Sequence, residues 1–401
     1  MWVVAACQNQ PVSTGSGLLL DRQFVEQQLD DAVTQIKVLA DSVPADRMPR
    51  TFEGDTSVSS NTGWWTSGFY PGSLLYLYEY SGDGQLLELA KEKLHILEKE
   101  KYNKGTHDLG FILYCSFGNA LRITGDTAAY KDILLTGAES LITRYNPVVK
   151  AIRSWQGWHY PVIIDNMMNL EFLTQASELS GDPRYREIAV THANTTMKNH
   201  YRPDYSSYHV IDYNPEDGGI VGRKTAQGAF DESAWARGQA WGLYGYVMMY
   251  RETGDTAYLD FARNIAAFML DHPNMPADLV PYWDFDAPDL PEESPYAADY
   301  KSNRDASAAA VTASALIELS TYTEGRERDR YMTSAEQMLE SLSVAPYKAA
   351  PATNGGFILQ HSVGSIPHGT EIDVPLTYAD YYYIEALMRY RRLLEGKMLF
   401  D

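Results

Sequence analysis

The 401-residue sequence predicts an all-α fold, an (α/α)6 barrel in which six helical hairpins supply an inner and an outer ring of helices. The first observation is a phrase that recurs along the chain as "LYLYEYSGD", "ALRITGD", "LTQASELSGD" and "YVMMYRETGD", and more weakly as "IELSTYTEG". Each phrase has the features of a helix end, with glycine in the left-handed position and an acidic residue that opens the next helix. The phrases therefore predict helices joined by tight turns.

The second observation is the contrast between the two helices on either side of each turn. The segment before the turn is apolar on nearly all sides, whereas the segment after it, such as "QLLELAKEKLHILEK", carries one charged face. A helix that is apolar on all sides is buried, and a helix with one polar face covers it. We place helices near residues 22–40, 66–80, 84–100, 110–123, 128–144, 166–179, 184–199, 233–252, 256–271, 307–321, 328–343 and 380–395.

Four long segments lead into predicted inner helices, at residues 145–165, 200–232, 272–306 and 344–379. If the inner helices run parallel, these segments gather at the same end of the barrel, which is where binding sites are usually built. No linker rich in proline or serine divides the chain after residue 20. We therefore assign residues 1–20 to an N-terminal segment and residues 21–401 to a single domain.

Composition argues against several classes of function. Hydrophobic residues make up 45% of the chain and charged residues 21%, the proportions of a globular protein with a large core. A formal net charge of -20 argues against a nucleic-acid partner, whose binding depends on basic surface. No apolar run is long enough to span a membrane. The chain has no H-E-x-x-H motif and no cysteine pair, and "DYNPEDGG" has its glycine one place late for an EF-hand loop, so we expect no metal and no cofactor.

The first residues carry a separate signal. "VVAAC" ends at Cys7 and is followed by the polar "QNQPVSTGSG". This order is typical of the end of a bacterial lipoprotein signal, with Cys7 as the lipidated residue. The interpretation predicts a protein of the bacterial periplasm, or one that is lipid-anchored at the cell envelope. If the segment is instead an ordinary N-terminus, the expected location is the cytoplasm.

Chemically useful side chains cluster where the inner helices are predicted to start. They are mostly aromatic rings, carboxyls and histidines: Trp65, His107, Asp108, Asp165, Asn166, His209, Gln227, Trp283, Asp305, Tyr378 and Asp380. Aromatic faces stack on sugar rings and polar groups hydrogen-bond sugar hydroxyls, so the predicted mouth of the barrel favours a carbohydrate. A pair of carboxylates in such a pocket is the usual means of acid and base catalysis on glycosides.

The aspartates also have a structural interpretation. Asp108, Asp305 and Asp380 stand at helix starts, where aspartate is more often a cap than a catalyst. Asp165 differs because it lies between the apolar stretches "PVII" and "NMMNL". That setting predicts a buried carboxyl, and burial raises the pKa of an aspartate towards the range of a general acid.

One predicted inner helix buries an arginine. "DESAWARGQAWGLYGY" surrounds its single cation, Arg237, with aromatic and small residues. Arg237 and Trp241 are four residues apart and share one face of a helix. They suit a ligand whose carboxylate or hydroxyls meet the guanidinium and whose ring stacks on the indole. The alternative is that Arg237 pairs with Asp231 or another local carboxylate.

The motifs together resemble a known family. "WTSGFYPG", "HDLGF", "IIDNMMNLEFL", "DESAWARGQAWGLYGY", "PYWDFDAP", "DASAAAVTASAL" and "YADYYYIEAL" are similar, in order, to the unsaturated glucuronyl hydrolases of glycoside hydrolase family 88. The resemblance implies an (α/α)6 barrel that removes a 4,5-unsaturated uronic acid from the non-reducing end of oligosaccharides made by polysaccharide lyases. It also implies that Asp165 and Asp108 carry the reaction. The substrate contacts that it implies come from His209, Gln227, Arg237 and Trp241.

Two alternative functions remain compatible with the sequence. The related unsaturated rhamnogalacturonyl hydrolases share the fold and chemistry but act on pectin fragments, and a sugar-binding lipoprotein would bind a glycan without turnover. The sequence leaves the glycan open among chondroitin, hyaluronan, heparin and ulvan fragments. The loop "HSVGSIPHGTEID" carries Ser365 and His368, which are expected to accommodate a sulfate if the substrate has one.

Overall fold

A computed structural model describes residues 18–400. Within these residues the α-helices are α1 (Arg22–Ser42), α2 (Phe69–Ser81), α3 (Gly84–Leu97), α4 (Asn119–Thr124), α5 (Thr127–Ile142), α6 (Leu170–Ser180), α7 (Arg184–Asn199), α8 (Ala236–Thr253), α9 (Thr256–Asp271), α10 (Ala297–Tyr300), α11 (Ala306–Ser320), α12 (Gly325–Leu342) and α13 (Thr377–Leu394). Gly110–Gly118 forms a π-helix that runs directly into α4, and Ile164–Asn169 forms a 3-10 turn that runs directly into α6. Every helix predicted from the sequence has a counterpart, and α10 is one additional turn.

The helices form two concentric rings. The inner ring consists of α2, the π-helix with α4, α6, α8, α11 and α13, and α13 packs against α2 to close it. Each inner helix is covered by an outer one, in the same order α3, α5, α7, α9, α12 and α1. Burial follows this division, because α11 buries every residue from Ala306 to Ser320 whereas α12 buries only one face. The predicted (α/α)6 barrel is confirmed.

The turns between paired helices have the predicted conformation. Four glycines follow the last residue of an inner helix with φ between 68° and 76°: Gly82, Gly125, Gly181 and Gly254. Glycine recurs here because a side chain would strain this left-handed backbone. Asp83, Asp126 and Asp255 each accept a hydrogen bond from a backbone N–H in the first turn of the outer helix.

Short antiparallel strands, which the sequence pattern did not predict, occupy the long segments between helices. They are β1 (Met48–Glu53), β2 (Thr56–Ser60), β3 (Tyr145–Asn146), β4 (Ala151–Ile152), β5 (Pro161–Ile163), β6 (Val210–Tyr213), β7 (Ile220–Lys224), β8 (Ser362–Ser365) and β9 (Thr370–Val374). They form four small sheets with the orders β1-β2, β3-β4, β5-β6-β7 and β8-β9. The longest, β1, has six residues, and buried and exposed positions do not alternate along it, so the period-two pattern that marks a strand is missing. These sheets line the end of the barrel where the inner helices begin; β5 leads directly into the 3-10 turn before α6.

One hydrophobic cluster runs through the barrel from Leu20 to Leu393. The chain joins this cluster beside α13, where the Leu20 N–H donates to the Tyr390 hydroxyl. Residues 1–17, including Cys7, lie outside the described part, so the division of the chain at residue 20 stays a prediction. Within residues 18–400, no helix is both long and apolar enough to cross a membrane.

Candidate active site

Asp165 lies in the 3-10 turn at the start of an inner helix. It is 8% exposed, and its Oδ2 atom is buried without a hydrogen-bond partner. Burial raises the pKa of Asp165 to about 7; the nearby Asp108 raises this pKa as well, and the charge of Arg237 opposes the rise. The predicted burial of this carboxyl is confirmed. An aspartate with such a pKa is present in both its protonated and its ionised form near neutral pH, so it can both donate and recover a proton.

His209 presents a hydrogen-bond donor to Asp165. Its Nδ1 atom accepts from the backbone N–H groups of Ala226 and Gln227, at 3.0 and 3.1 Å, so the ring proton is carried by Nε2. His209 Nε2 is buried without a partner and lies 3.7 Å from Asp165 Oδ2. Burial lowers the pKa of His209 well below its usual value, and Arg237 lowers it further. His209 is therefore a neutral N–H donor at neutral pH, with its tautomer fixed by the backbone.

His107 and Asp108 precede the π-helix and face Asp165 from the neighbouring inner helix. His107 Nε2 lies 3.5 Å from Asp108 Oδ2, which also accepts a hydrogen bond from the Thr106 hydroxyl. Burial lowers the pKa of His107, so this ring is neutral too. Asp108 is half-buried, and among the described hydrogen bonds its carboxyl accepts none from a backbone N–H. The helix-cap interpretation of Asp108 therefore does not describe this structure.

Helix α8 packs closely on the turn that carries Asp165, and its glycines make this possible. A Cβ atom at Gly245 would lie 2.5 Å from the Met167 Cβ, and one at Gly238 would lie 3.2 Å from the Ile164 Cγ2, both in the 3-10 turn. A side chain at either position would force α8 away from the 3-10 turn. The small residues of "WARGQAWGLYG" thus hold the α8 side chains beside Asp165.

Arg237 is buried because other groups of the protein hydrogen-bond its guanidinium. Its Nη1 donates to Asp305 Oδ2 at 3.2 Å and to the Val363 carbonyl, and its Nη2 donates to the Gly364 carbonyl at 2.7 Å. The sequence pattern left open a pairing with Asp231, which instead accepts from the Thr225 N–H. The carboxylate partner of Arg237 is therefore Asp305. A sugar ligand is not needed to explain why this cation is buried.

Aromatic rings surround the same space. The Trp241 indole nitrogen lies close enough to Asp165 to lower its pKa, without completing a hydrogen bond. The ring of Trp65 lies 4.9 Å from that of Tyr378, and the Arg237 guanidinium lies 5.3 Å from the Tyr378 ring. The Tyr378 hydroxyl is buried without a partner. Trp65, Trp241 and Tyr378 therefore stand where the sequence predicted an aromatic lining.

Buried polar atoms that have no partner among residues 18–400 gather here, among them Asp165 Oδ2, His209 Nε2, Arg237 Nε, Trp241 Nε1 and Tyr378 Oη. Buried polar atoms in proteins are nearly always hydrogen-bonded, so a group of unpaired ones indicates a polar ligand. Donors and an acceptor close together suit the hydroxyls and carboxylate of a sugar acid. No cluster of His, Cys, Asp or Glu in residues 18–400 has the arrangement of a metal site.

Two predicted contact residues are used by the framework instead. Trp283 is fully buried, packs against Tyr296 and donates its indole N–H to the Tyr300 carbonyl, so it does not line the site. Asn166 donates to the Ile152 carbonyl and accepts from the Ser154 hydroxyl. The two residues are kept from the site in different ways: the Asn166 amide is held by the Ile152 carbonyl and the Ser154 hydroxyl, whereas the Trp283 ring packs in the framework.

Three predicted residues lie at the outer edge of the site. Gln227 donates its side-chain amide to the Gly364 carbonyl at 3.2 Å. Ser365 Oγ lies 2.7 Å from Nδ1 of the exposed His368. These contacts connect the segment after β7 to β8 and place the 361–373 loop beside the catalytic candidates.

The sequence interpretation missed two charged residues near Arg237. Glu371 on β9 acts on the charge of Arg237 and pairs with Arg50 on β1 at 2.6 Å. Arg50 in turn stacks on the exposed ring of Trp64 at 4.3 Å. Arg50 and Glu371 are 321 residues apart in the sequence, and no local pattern marks either of them.

Comparison with known proteins shows the family of this chain. The profile of Glycosyl Hydrolase Family 88 matches residues 39–386. An unsaturated glucuronyl hydrolase of Formosa agariphila is 47% identical over 334 residues, 82% of this chain and 80% of that protein. An unsaturated chondroitin disaccharide hydrolase of Streptococcus pneumoniae is 33% identical over 382 residues, 93% of each chain. The crystal structure of an unsaturated glucuronyl hydrolase specific for heparin matches with a TM-score of 0.87 and 47% identity, over 94% of this chain and 99% of that one. This chain belongs to glycoside hydrolase family 88.

Proposed function

We propose that Asp165 is both the acid and the base with which this chain removes a 4,5-unsaturated uronic acid from the non-reducing end of an oligosaccharide. The observation that carries the assignment is the buried Asp165 carboxyl, whose unpaired oxygen faces the His209 N–H and lies beside the Trp241 indole. The substrate class follows from the relatives, which are named unsaturated glucuronyl hydrolase and unsaturated chondroitin disaccharide hydrolase.

The chemistry is the hydration of an enol ether. Protonated Asp165 donates its proton to C4, and the positive charge that develops at C5 is shared with the ring oxygen. A water molecule bonds to C5 and returns a proton to the Asp165 carboxylate. The resulting hemiketal opens between C5 and the ring oxygen, which leaves a ketone at C5 and a hemiacetal at C1. The hemiacetal collapses to an aldehyde and releases the remaining sugar, so one water is consumed.

The neighbours of Asp165 support each step. His209 donates from Nε2 to the ionised carboxylate or to the incoming water, and it stays neutral because it is buried. Asp108 disfavours the ionised form of Asp165, which keeps the proton available, and its half-buried carboxyl can accept a substrate hydroxyl. Trp241 and Tyr378 enclose the ring and exclude water from the opposite face.

The alternatives are less well supported. A non-catalytic glycan-binding protein has no use for a buried carboxyl with a pKa of about 7 beside a donor of fixed tautomer. An unsaturated rhamnogalacturonyl hydrolase would share the chemistry, but the relatives described above are named for glucuronyl and chondroitin disaccharide substrates.

A panel of unsaturated disaccharides from polysaccharide lyases tests the proposed function. Hydration destroys the conjugated double bond, so we expect the ultraviolet absorbance of glycosaminoglycan disaccharides to fall, at least about tenfold faster than that of a pectin-derived one. Chondroitin, hyaluronan and heparin fragments should each be offered with and without sulfate. A faster loss with the pectin-derived substrate would favour the rhamnogalacturonyl alternative, and binding without any loss would favour a binding protein.

A comparison of sulfated with unsulfated substrates tests whether the 361–373 loop binds a sulfate. We propose that Ser365 and His368 face the sugar that is released, since they follow Gly364, whose carbonyl accepts from Gln227 and Arg237 at the edge of the site. Their hydroxyl and imidazole can hydrogen-bond a sulfate. The names of the relatives cover both heparin and chondroitin substrates, so the choice of glycan is a matter for the panel.

For location, we propose a lipid anchor at Cys7 in the bacterial envelope. The support is the "VVAAC" stretch in the sequence, together with the place where the described chain enters the barrel. Leu19 and Leu20 hydrogen-bond Glu336 and Tyr390 near the far end of α13, away from the site at its start. An anchor there would leave the active-site mouth open to large glycans.

We expect Cys7→Ser to move the protein from the membrane fraction to the soluble fraction of a bacterial host that processes lipoproteins. The control is kcat/KM of the purified variant, which should equal that of the parent because residue 7 precedes the described barrel. Equal distribution of the two forms between the fractions would contradict the anchor.

A further inference from the structure

Asp305 joins three elements around the active site through one fully buried carboxyl. Its Oδ1 accepts from the Ser307 N–H at 3.0 Å and from the Ser307 hydroxyl at 2.5 Å, which caps α11. The same oxygen lies 3.4 Å from the Val363 nitrogen of β8. Its Oδ2 accepts from Arg237 on α8. Capping alone would require only the first of these contacts.

Arg237 transmits the position and the charge of Asp305 towards Asp165. Its other donors hold the Val363 and Gly364 carbonyls, so the β8–β9 hairpin is fixed against α8. Its positive charge opposes the rise in the pKa of Asp165. The net charge that Arg237 and its partner Asp305 exert on Asp165 therefore depends on how completely Asp305 offsets the charge of Arg237.

The other charged or titratable groups around this pair come from every adjacent element. Asp165 faces Asp108 and His107 before the π-helix, and His209 before β6. Arg237 faces the Tyr378 hydroxyl from α13 and Glu371 from β9, in addition to Asp305. Tyr378 is neutral because burial raises its pKa, so the carboxyls that act on Arg237 are Asp305, Asp165 itself and Glu371.

We propose that Asp305 is a positioning residue for the reaction: it aligns Arg237 and the β8–β9 hairpin, offsets the charge of Arg237, and thereby helps to set the pH range in which Asp165 donates its proton. This inference deepens the proposed function and rests on the role of Asp165 as proton donor. Asp305, which also caps α11, then takes part in setting the pH range of activity. Asp305 acts through Arg237 and need not touch the substrate.

The test is the pH profile of kcat/KM for Asp305→Asn. A proton donor is active below its pKa, so the parent should lose activity as pH rises through about 7. Without the anion at residue 305, Arg237 favours the ionised form of Asp165 more strongly, and the alkaline limb should move to lower pH by about one unit. At pH values above the limb, that shift corresponds to about a tenfold loss of kcat/KM.

Two further variants separate charge from structure. Asp305→Glu keeps the charge, so its limb should stay close to that of the parent even if it is less stable. Asp380→Asn is the matched control, because Asp380 also accepts two backbone N–H groups, of Ile358 and Leu359, but pairs with no cation among residues 18–400. It should leave the limb in place.

An unmoved limb in a folded Asp305→Asn protein would overturn the inference. If that variant fails to fold, Glu371→Gln takes its place, because it removes the other anion that acts on Arg237 and should move the limb in the same direction. An unmoved limb in Glu371→Gln would then overturn it. Full activity of Asp165→Asn would instead remove the proposed function, so the two failures are distinguishable.

Discussion

Asp165→Asn is expected to lower kcat/KM by about 10⁴-fold or more while leaving the fold intact. The amide has almost the same shape as the carboxyl, but it can neither give a proton to C4 nor take one from water. Acid or base assistance from one group is worth about 10²–10⁴-fold, and here one residue serves both steps. The measurement is turnover of the best disaccharide from the panel, with substrate binding followed separately.

The same variant carries its own control for folding. Because burial raises the pKa of Asp165 to about 7, the folded state binds more protons than the unfolded state between about pH 4 and pH 7, and stability falls as pH rises through that range. Asn cannot ionise, so Asp165→Asn should have a higher Tm than the parent at about pH 8. The gain should vanish at about pH 4. Turnover within about tenfold of the parent would end the assignment of Asp165.

Arg237→Ala is expected to damage both stability and activity. It leaves the Asp305 carboxylate buried without its cation and frees the Val363 and Gly364 carbonyls. Breaking a buried pair in this way costs about 3–5 kcal/mol of unfolding free energy. Because β8 and the electrostatics of Asp165 both depend on this side chain, kcat/KM should also fall about 10²–10³-fold.

Thermal melts and kinetics of the same preparation check this result. Arg237→Lys is the matched control. It keeps the charge but lacks the planar guanidinium that holds two carbonyls and a carboxylate, so its stability should lie between those of Arg237→Ala and the parent. A cooperative Arg237→Ala protein with the Tm of the parent and reduced kcat/KM would show that Arg237 serves the substrate alone. An unstable protein with unchanged kcat/KM would show that it serves only the fold.

The ring architecture could be predicted because its signals are local. A glycine at a helix end and an aspartate one residue later each act within one turn, as Gly82 and Asp83 show. The strands could not be predicted, since pairs such as β5 and β6 join segments about 50 residues apart and are only three or four residues long. Their stability comes from the barrel end on which they pack.

The site was predictable where burial could be read from neighbouring residues. Asp165 stands between apolar runs, and the structure buries it as expected. The pairing of Arg237 with Asp305 was not predictable, because 68 residues separate them. Trp283 failed for a related reason: an aromatic residue near a helix start looks the same in sequence whether it lines a pocket or fills the core.

The central claim is that Asp165 starts the reaction by protonating C4. The most direct measurement is the position of deuterium in the first product formed in deuterium oxide, read by nuclear magnetic resonance before slow exchange sets in. Hydration predicts one deuterium on a single face of C4, loss of the double bond at the same rate, and neither change with Asp165→Asn. A first product that keeps its double bond and carries no deuterium at C4 would contradict the account.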